Sequence, residues 1–235
     1  MISVCIATYN GAAYIKAQLE SILPQLSPSD EVIISDDAST DATRSIIASL
    51  QSPVIKVVDG PCRKSPGLNF ENALRHASGD IIFLADQDDV WVENKVERMV
   101  AALSAADCVV SDCYVTDGSL RVTEESFYAA NATRPGRFYN LLRRNGYLGC
   151  CMAFRRRVLA KSLPFPKNLP MHDIWIGNVA AFCFNVKFIE DKLIYFRRHG
   201  NNASVTARKS PFSFREKVGF RWHILCALPR LSLRR

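Results

Sequence analysis

Short apolar runs alternate along the first half of the chain with segments whose apolar residues recur at helical spacing. The runs predict β-strands at residues 3–7, 31–35, 54–58, 81–85 and 108–112. The segments between them predict helices at residues 15–23, 42–50, 67–77 and 92–105. Alternation at this spacing is typical of βαβ units. We therefore expect an α/β fold with a mostly parallel sheet flanked by helices.

The pattern is weaker in the second half, where residues 116–137 show no clear periodicity. A strand is predicted at residues 149–154 and a helix at 155–161, and a proline-rich loop follows. The loop leads to a helix predicted at residues 171–182. Two short strands, predicted at residues 186–189 and 193–196, complete the domain.

Acidic residues directly follow two of the predicted strands. Asp36 and Asp37 follow one strand, and Asp86, Asp88 and Asp89 follow another. Because the carboxyl ends of parallel strands meet at one edge of an open sheet, where ligands bind, we expect these side chains to form one site. Clustered carboxylates repel one another unless a cation neutralises them, and their oxygen atoms suit Mg²⁺ or Mn²⁺. The sequence thus predicts a metal-bound phosphate ester at this edge.

Helix capping and calcium binding are two other roles that acidic turns can have. Asp88 or Asp89 is a suitable cap for the following helix, and Asp41 is a suitable cap for the helix at residues 42–50. A calcium-binding loop is excluded, because Val90 and Trp91 occupy positions that need an oxygen ligand and a glycine. We favour the ligand site, because two acidic turns at one edge are harder to explain as caps than one.

Composition and charge limit the class of protein. With 235 residues and 48% hydrophobic content, the chain can bury the core of one large domain or of a domain with a small appendage. Eight cysteines without CxxC spacing predict reduced packing residues in a cytoplasmic protein. No apolar run approaches the ~20 residues that span a bilayer, and the amino terminus lacks the basic region of a signal peptide.

The positive charge lies at the carboxyl end. From Arg208 onward there are eight Lys or Arg residues and one acid, Glu216, so this tail carries the whole formal charge of +7. A neutral main domain argues against nucleic-acid binding. We expect a catalytic domain at residues 1–207 and a basic, aromatic tail at 208–235.

Phe214, Val218, Trp222 and Leu225 would share one side of a helix in this tail. That pattern suits the surface of an anionic membrane, although Gly219 and Pro229 weaken the helix prediction. A helix packed on the domain is the alternative.

Six segments together resemble the glycosyltransferases of family 2, which have the GT-A nucleotide-sugar-binding fold. The segments are SVCIATYNGAAYI, EVIISDDASTDAT, GLNFENALRHASGDIIFLADQDDVW, GCCMAFRR, MHDIW and YFRRHGNNAS. The resemblance covers residues 1–204, and its details are similar to the bacterial branch of rhamnosyltransferases and related cell-surface polysaccharide enzymes. It implies a smaller acceptor-side region after the nucleotide-binding sheet.

The resemblance also implies roles for individual residues. Thr8, Asp36 and Asp37 would lie at the base and ribose end of the donor, and Asp86 and Asp88 would form a DxD pair that holds Mn²⁺ or Mg²⁺. Asp173 matches the catalytic base, and Arg197, Arg198 and His199 would contact the diphosphate or the metal. The alternatives are a helix cap for Asp173 and a solvated basic turn for residues 197–199.

The roles of three further side chains remain open. His172 neighbours the expected base and is placed either to orient it or on the surface. Trp91 and Trp175 are suited to stacking on sugar faces, but tryptophans at helix starts more often pack in the core.

The sequence therefore predicts an inverting, metal-dependent glycosyltransferase. It would take a UDP- or dTDP-sugar as donor and a bacterial surface glycan, held on a lipid, as acceptor. Its place of action would be the cytoplasm or the cytoplasmic face of the inner membrane. Two alternatives are a sugar-phosphate nucleotidyltransferase, whose glycine-rich basic loop is absent after the first strand, and an inactive nucleotide-sugar-binding module.

Overall fold

The computed structural model describes residues 1–167, 169, 171–200 and 214–228, with only the backbone given for Phe214 and Lys217. Its strands are β1 Ile2–Thr8, β2 Glu31–Asp36, β3 Ile55–Asp59, β4 Ile81–Asp86, β5 Val90–Trp91, β6 Cys108–Thr116, β7 Val122–Glu124, β8 Met152–Arg155 and β9 Val186–Arg197. Its helices are α1 Ile15–Ile22, α2 Thr43–Ser49, α3 Pro66–His76, α4 Lys95–Ala102, α5 Phe127–Asn131, α6 Arg137–Leu142, α7 Arg156–Ser162, α8 His172–Cys183 and α9 Phe214–Ala227. Single 3₁₀ turns lie at Leu23–Gln25, Leu103–Ala105 and Gly149–Cys151.

The strands form one sheet in the order β3-β2-β1-β4-β8-β6-β9-β5, with β7 paired to β6. Strands β1 to β4 are parallel to one another, and β6 and β9 run in the same direction as they do, because β8 is antiparallel to both β4 and β6. Six of the nine strands therefore point the same way, which confirms the expected mostly parallel α/β sheet.

The core lies on both faces of β1, β2 and β4. All six side chains of β2 are buried, as are the four central ones of β4. Helix α3 packs on β1 and β2, α7 packs on β4, and the buried residues of α1 and α2 belong to the same core. Such strands read as continuous apolar runs, which is why the sequence predicted them well. Five cysteines are buried here and in β6 and the Gly149–Cys151 turn, as expected for packing residues, whereas Cys62, Cys183 and Cys226 are exposed.

Several element boundaries differ from the predictions. The two strands predicted at residues 186–189 and 193–196 form one strand, β9, whose pairing with β6 shifts register around Asp112. The segment at residues 116–137 contains β7 and α5, both too short to show a period. The boundary predicted at residue 207 and the cations Arg208 and Lys209 lie outside the described residues, as does Pro229.

None of the candidate caps is the N-cap of its helix. The N-cap of α4 is Asn94, because Val90 and Trp91 first pair with β9 and move the helix start away from Asp88 and Asp89. Ala42 is the N-cap of α2, although the carboxylate of Asp41 still accepts a hydrogen bond from the N–H of Thr43. Met171 is the N-cap of α8, which leaves Asp173 inside the first turn.

Candidate active site

The carboxyl ends of β1, β2 and β4 bring the two acidic turns together, as predicted. In the register of the sheet, Thr8 lies beside Asp36 and Ala7 lies beside Asp86. A cavity of about 590 Å³ opens at this edge. Five of the sequence-predicted residues line it, namely Thr8, Asp37, Asp86, Asp88 and Asp173. One cavity therefore joins the acidic edge to the start of α8.

The loop after β1 is fixed by Gln87, a residue that the sequence analysis did not single out. Gln87 Oε1 accepts hydrogen bonds from Thr8 Oγ1 at 2.6 Å and from the N–H of Tyr9 at 3.0 Å. The side chain of Gln87 thus connects the ends of β1 and β4. Its place between Asp86 and Asp88 was the only signal in the sequence, and its partner could be identified only from the fold.

Asp37 and Asp36 have different environments despite their adjacency. Asp37 Oδ1 accepts the N–H of Arg63 at 3.2 Å, while its buried Oδ2 has no hydrogen-bond partner among the described residues. A buried acceptor without a partner suits an N–H or hydroxyl group of a ligand. Asp36 does not line the cavity: its carboxylate accepts from Arg44 Nε at 2.6 Å and from Ser39 Oγ at 2.5 Å, which holds the turn that presents Asp37.

The carboxylates of Asp86, Asp88 and Asp89 lie together at the end of β4 and in the turn that follows it. Burial, followed by the charges of Asp88 and Asp173, raises the pKa of Asp86 to about 8. Burial, followed by the charges of Asp88 and Asp86, also raises the pKa of Asp89 well above its usual value. Asp89 Oδ2 is buried without a partner in the described part of the chain. The cluster therefore holds more negative charge than its protein surroundings compensate.

These residues fit a divalent cation. The carboxylates of Asp86 and Asp89 and the sulfur of Cys150 offer ligand atoms that lie within 4.8 Å of one another, and Asp88 lines the cavity beside Asp86. Carboxylate oxygens are preferred ligands of Mg²⁺ and Mn²⁺. Cys150 is a poor candidate, because sulfur is a soft ligand, whereas Mg²⁺ and Mn²⁺ prefer oxygen. The buried Lys95, whose Nζ donates to the carbonyl of Cys150 at 2.6 Å, is one of the basic groups that the protein itself supplies here.

Arg197 and His199 reach the acidic turn from the end of β9 without lining the cavity. His199 Nε2 lies 2.9 Å from Asp88 Oδ2, and Arg197 Nε donates to the carbonyl of Asp88 at 2.7 Å. The N–H of Arg197 donates to Asp89 Oδ1 at 2.9 Å. Tyr14 stacks on the imidazole of His199 with ring centroids 4.6 Å apart. The two basic side chains therefore hold the turn, and their contact with a diphosphate stays a prediction.

Asp173 lies in the first turn of α8 with 8% of its surface exposed. Its Oδ2 accepts the N–H of Gly149 at 3.1 Å, and its Oδ1 accepts the N–H of Ile174 at 2.7 Å. Burial raises the pKa of Asp173 to about 6, and these hydrogen bonds oppose the shift. A carboxylate with such a pKa is ionised at neutral pH and is a stronger base than a surface aspartate.

His172 is buried rather than on the surface. Its ring stacks on Phe70 at 3.8 Å between centroids, and neither ring nitrogen has a hydrogen-bond partner among the described residues. Burial lowers the pKa of His172 to about 3, so the ring is neutral at pH 7. His172 lines the cavity, and both of its ring nitrogens are buried.

The cavity also contains residues that the sequence analysis passed over. They include Tyr9, Lys64, Asn69 and Tyr147. The ammonium of Lys64 lies 5.4 Å from the centroid of the Tyr9 ring. Trp91 and Trp175 are buried in the core, at 3% and 1% exposure, and do not line the cavity, which confirms the packing alternative.

The family model described as Glycosyl transferase family 2 matches residues 3–163. The chain is 27% identical over 167 residues to the Escherichia coli enzyme WfgD, described as a UDP-Glc:alpha-D-GlcNAc-diphosphoundecaprenol beta-1,3-glucosyltransferase; the match covers 71% of this chain and 64% of that protein. It is 26% identical over 215 residues to the dTDP-rhamnosyl transferase RfbG of Shigella flexneri; the match covers 83% of this chain and 72% of that protein. The chain thus spans about two thirds of the length of these relatives.

Two solved structures share the fold. One is residues 1–349 of TarS from S. aureus in complex with UDP-GlcNAc, with a TM-score of 0.72 and 21% identity over 95% of this chain and 66% of that one. The other is the mannosyltransferase PcManGT from Pyrobaculum calidifontis in complex with GDP-Man and Mn²⁺. Its TM-score is 0.63 and its identity 22%, over 99% of this chain and 73% of that one. The GT-A fold predicted from the sequence is confirmed.

Proposed function

Because the chain belongs to glycosyl transferase family 2, we propose that it moves a sugar from a UDP- or dTDP-sugar to a hydroxyl of a bacterial surface-glycan acceptor. The proposed transfer inverts the anomeric carbon and depends on a divalent cation. The descriptions of two relatives support this proposal, because one names UDP-Glc and a lipid-linked acceptor and the other is a dTDP-rhamnosyl transferase.

One observation carries the proposal. A single cavity is lined by the acidic pair Asp86 and Asp88 and by the buried carboxylate of Asp173. Glycosyl transfer needs both functions in one space, because the leaving diphosphate gains negative charge while the acceptor oxygen loses a proton. A module that only binds the donor has no need for a buried carboxylate with a raised pKa opposite the acidic turn.

In this proposal the donor lies against the acidic edge of the sheet. The unpartnered Oδ2 of Asp37 is available to the base or ribose. Asp88 and Asp86 would hold a cation that, when bound, stabilises the charge developing on the nucleoside diphosphate. His199 and Arg197 keep Asp88 in place through its carboxylate and its carbonyl.

Asp173 takes the proton of the acceptor hydroxyl while the acceptor oxygen attacks the anomeric carbon. One positioned base suffices for an inverting transfer, in which the nucleophile approaches opposite the leaving group. The N–H of Gly149 fixes Oδ2 of this carboxylate. Neutral His172, beside the base, presents ring nitrogens that can hydrogen-bond a sugar hydroxyl without competing for the proton.

The acceptor that we propose is a growing glycan on a lipid diphosphate. No helix among the described residues is long and apolar enough to cross a bilayer. We place the protein at the cytoplasmic face of the inner membrane, because a membrane-held acceptor must be met at the membrane surface.

A donor screen tests the proposal. Purified protein is incubated with UDP-, dTDP- and GDP-sugars and Mn²⁺, with a membrane extract as acceptor source, and release of nucleoside diphosphate is measured. We expect release with a UDP- or dTDP-sugar and none from the Asp173→Asn variant. Pyrophosphate release from a nucleoside triphosphate and a sugar phosphate would instead identify a nucleotidyltransferase. Donor binding without release under any condition would indicate an inactive module.

A further inference from the structure

Exposed apolar side chains are concentrated on two helices. Nine large apolar residues are exposed among those described, and five of them lie on α6 and α9. They are Phe138 and Leu142 on α6, and Val218, Trp222 and Leu225 on α9. Trp222 is 65% exposed and Phe138 59%, although burying either ring would be favourable. Such a cluster is more than the single exposed residues that any protein surface carries, and it suggests a contact surface.

Helix α9 is attached to the protein by its other side. Ile224 and Ala227 are buried, and Ile224 lies about 200° around the helix from Trp222. Val218, Trp222 and Leu225 are spaced by four and three residues, so they form one outward stripe. The packed-helix and membrane alternatives for this segment are therefore compatible, because one side of the helix packs and the other is exposed.

Arg221 joins the two helices. Its Nε donates to the carbonyl of Leu141 at 3.0 Å, and one terminal nitrogen donates to the carbonyl of Arg143 at 3.3 Å. These bonds place the middle of α9 beside the end of α6. Phe138 is also held in place, since its ring makes an edge contact with Phe182 at 5.7 Å between centroids. The five apolar side chains thus stand on two adjoining helices; we refer to them as the α6–α9 surface.

The charge around this surface is positive. Four exposed arginines, Arg134, Arg137, Arg143 and Arg144, lie on or beside α6, and Arg215 is exposed on α9. The sequence contains no acidic residue between Glu125 and Asp173, and α9 contains only Glu216. Exposed apolar side chains with arginines beside them suit an anionic lipid surface. The aromatic rings insert among the lipids, and the guanidinium groups contact the phosphates. They do not match a second copy of the chain, because a two-fold interface would bring like charges together.

The α6–α9 surface lies next to the base side of the cavity. Residues 145–149 begin two residues after the end of α6. Four of them, Asn145, Tyr147, Leu148 and Gly149, line the cavity. Gly149 holds Asp173. We propose that the α6–α9 surface docks on anionic phospholipid, and that docking turns the Asp173 side of the cavity toward the membrane. The orientation rests on the proposed function, whereas the docking itself does not.

Trp222 provides the readout. It is the one exposed tryptophan of the three in the chain, since Trp91 and Trp175 are buried. The full chain is titrated with vesicles of phosphatidylcholine alone and with vesicles containing phosphatidylglycerol, without donor or acceptor. We expect a blue shift of tryptophan emission and quenching by brominated acyl chains only with the anionic vesicles, both weakened by salt.

Two variants distinguish vesicle binding through the α6–α9 surface from nonspecific binding through exposed apolar side chains. Phe138→Ser with Leu142→Ser leaves Trp222 as reporter and should weaken vesicle binding by at least ~10-fold, because two side chains no longer insert. Val57→Ser, which removes an exposed apolar side chain from edge strand β3, is the matched control and should bind normally. Thermal unfolding confirms that each variant folds.

Unchanged vesicle binding by the double variant would overturn the proposal, as would equal loss in Val57→Ser. A dimer of the unmodified protein in sedimentation, converted to monomer by the double variant and unaffected by vesicles, would identify the surface as a contact between copies. Vesicle binding by a protein that releases no nucleoside diphosphate in the donor screen would refute the proposed function and leave the docking surface standing.

Discussion

The backbone N–H of Gly149 donates a hydrogen bond to Oδ2 of Asp173 over 3.1 Å, so a 3₁₀ turn fixes the carboxylate at the start of α8. The approach is close. A Cβ atom on residue 149 would lie 3.1 Å from His172 Nε2 and 3.3 Å from Asp173 Cβ. A side chain here would require His172 or Asp173 to shift by a few tenths of an ångström. This close packing connects the GCC segment to the expected base.

Gly149→Ala should therefore displace Asp173 without touching the donor side of the cavity. We expect turnover to fall by at least ~10-fold, since small displacements of a catalytic group are costly, while the donor dissociation constant changes little. Gly67→Ala is the matched control, because a Cβ there meets no atom within 4 Å. Equal losses in donor affinity and turnover would mean that the turn supports the whole cavity and not the base.

Asp173→Asn should change stability with a defined pH dependence. The folded state raises the pKa of Asp173 from 3.8 to about 6, so it binds more protons than the unfolded state between these values. The stability that Asp173 contributes is present below pH 4 and is lost as the pH rises through 6. Asn does not ionise, so the variant should gain up to about 3 kcal/mol in unfolding free energy, relative to the unmodified protein, between pH 4 and pH 7.5.

Urea unfolding in EDTA at both pH values measures this difference. EDTA is needed because a bound cation would alter the nearby acidic cluster. The same difference between the two proteins at pH 4 and pH 7.5 would show that the pKa of Asp173 is not raised by burial.

Donor binding should depend on a divalent cation through Asp88. We expect Mn²⁺ or Mg²⁺ to strengthen binding of the nucleotide-sugar to the unmodified protein, and Asp88→Ala to remove that dependence. Glu93→Ala removes an exposed carboxylate between β5 and α4 and serves as control. Calorimetry in EDTA and in Mn²⁺ decides the matter: equal affinities for the unmodified protein would refute the metal assignment.

The parallel half of the fold could be predicted because its signals are local. Strands β1, β2 and β4 are buried on both faces and are therefore unbroken apolar runs, and the acids that end β2 and β4 share an edge by the rules of parallel sheets. Asp88 and Asp89 do not cap the following helix, and the reason is tertiary. Strand β5 contains two residues and exists only by pairing with β9, about a hundred positions later in the sequence.

The contacts within the site likewise could not be predicted from the sequence. That Asp36 and Asp37 are adjacent does not reveal that Arg44 holds one and that the other faces the cavity. The contacts of Gln87 with Thr8 and of His199 with Asp88 span 79 and 111 positions. Sequence patterns name the residue types that the chemistry needs, whereas which side chain supports and which faces the ligand depends on packing.

The most direct test of the account is a paired measurement on Asp173→Asn. The substitution keeps the size of the side chain and removes its basicity. The control is Asp80→Asn, because Asp80 is exposed and lies at the amino end of β4, away from the site. Donor affinity is measured by calorimetry with the nucleoside diphosphate, and turnover by transfer to acceptor. We predict at least a ~10²-fold loss of turnover, the lower end for a positioned base, with donor affinity within a few-fold of the unmodified protein. Near-normal transfer by Asp173→Asn would contradict the account, because the base would then be another residue.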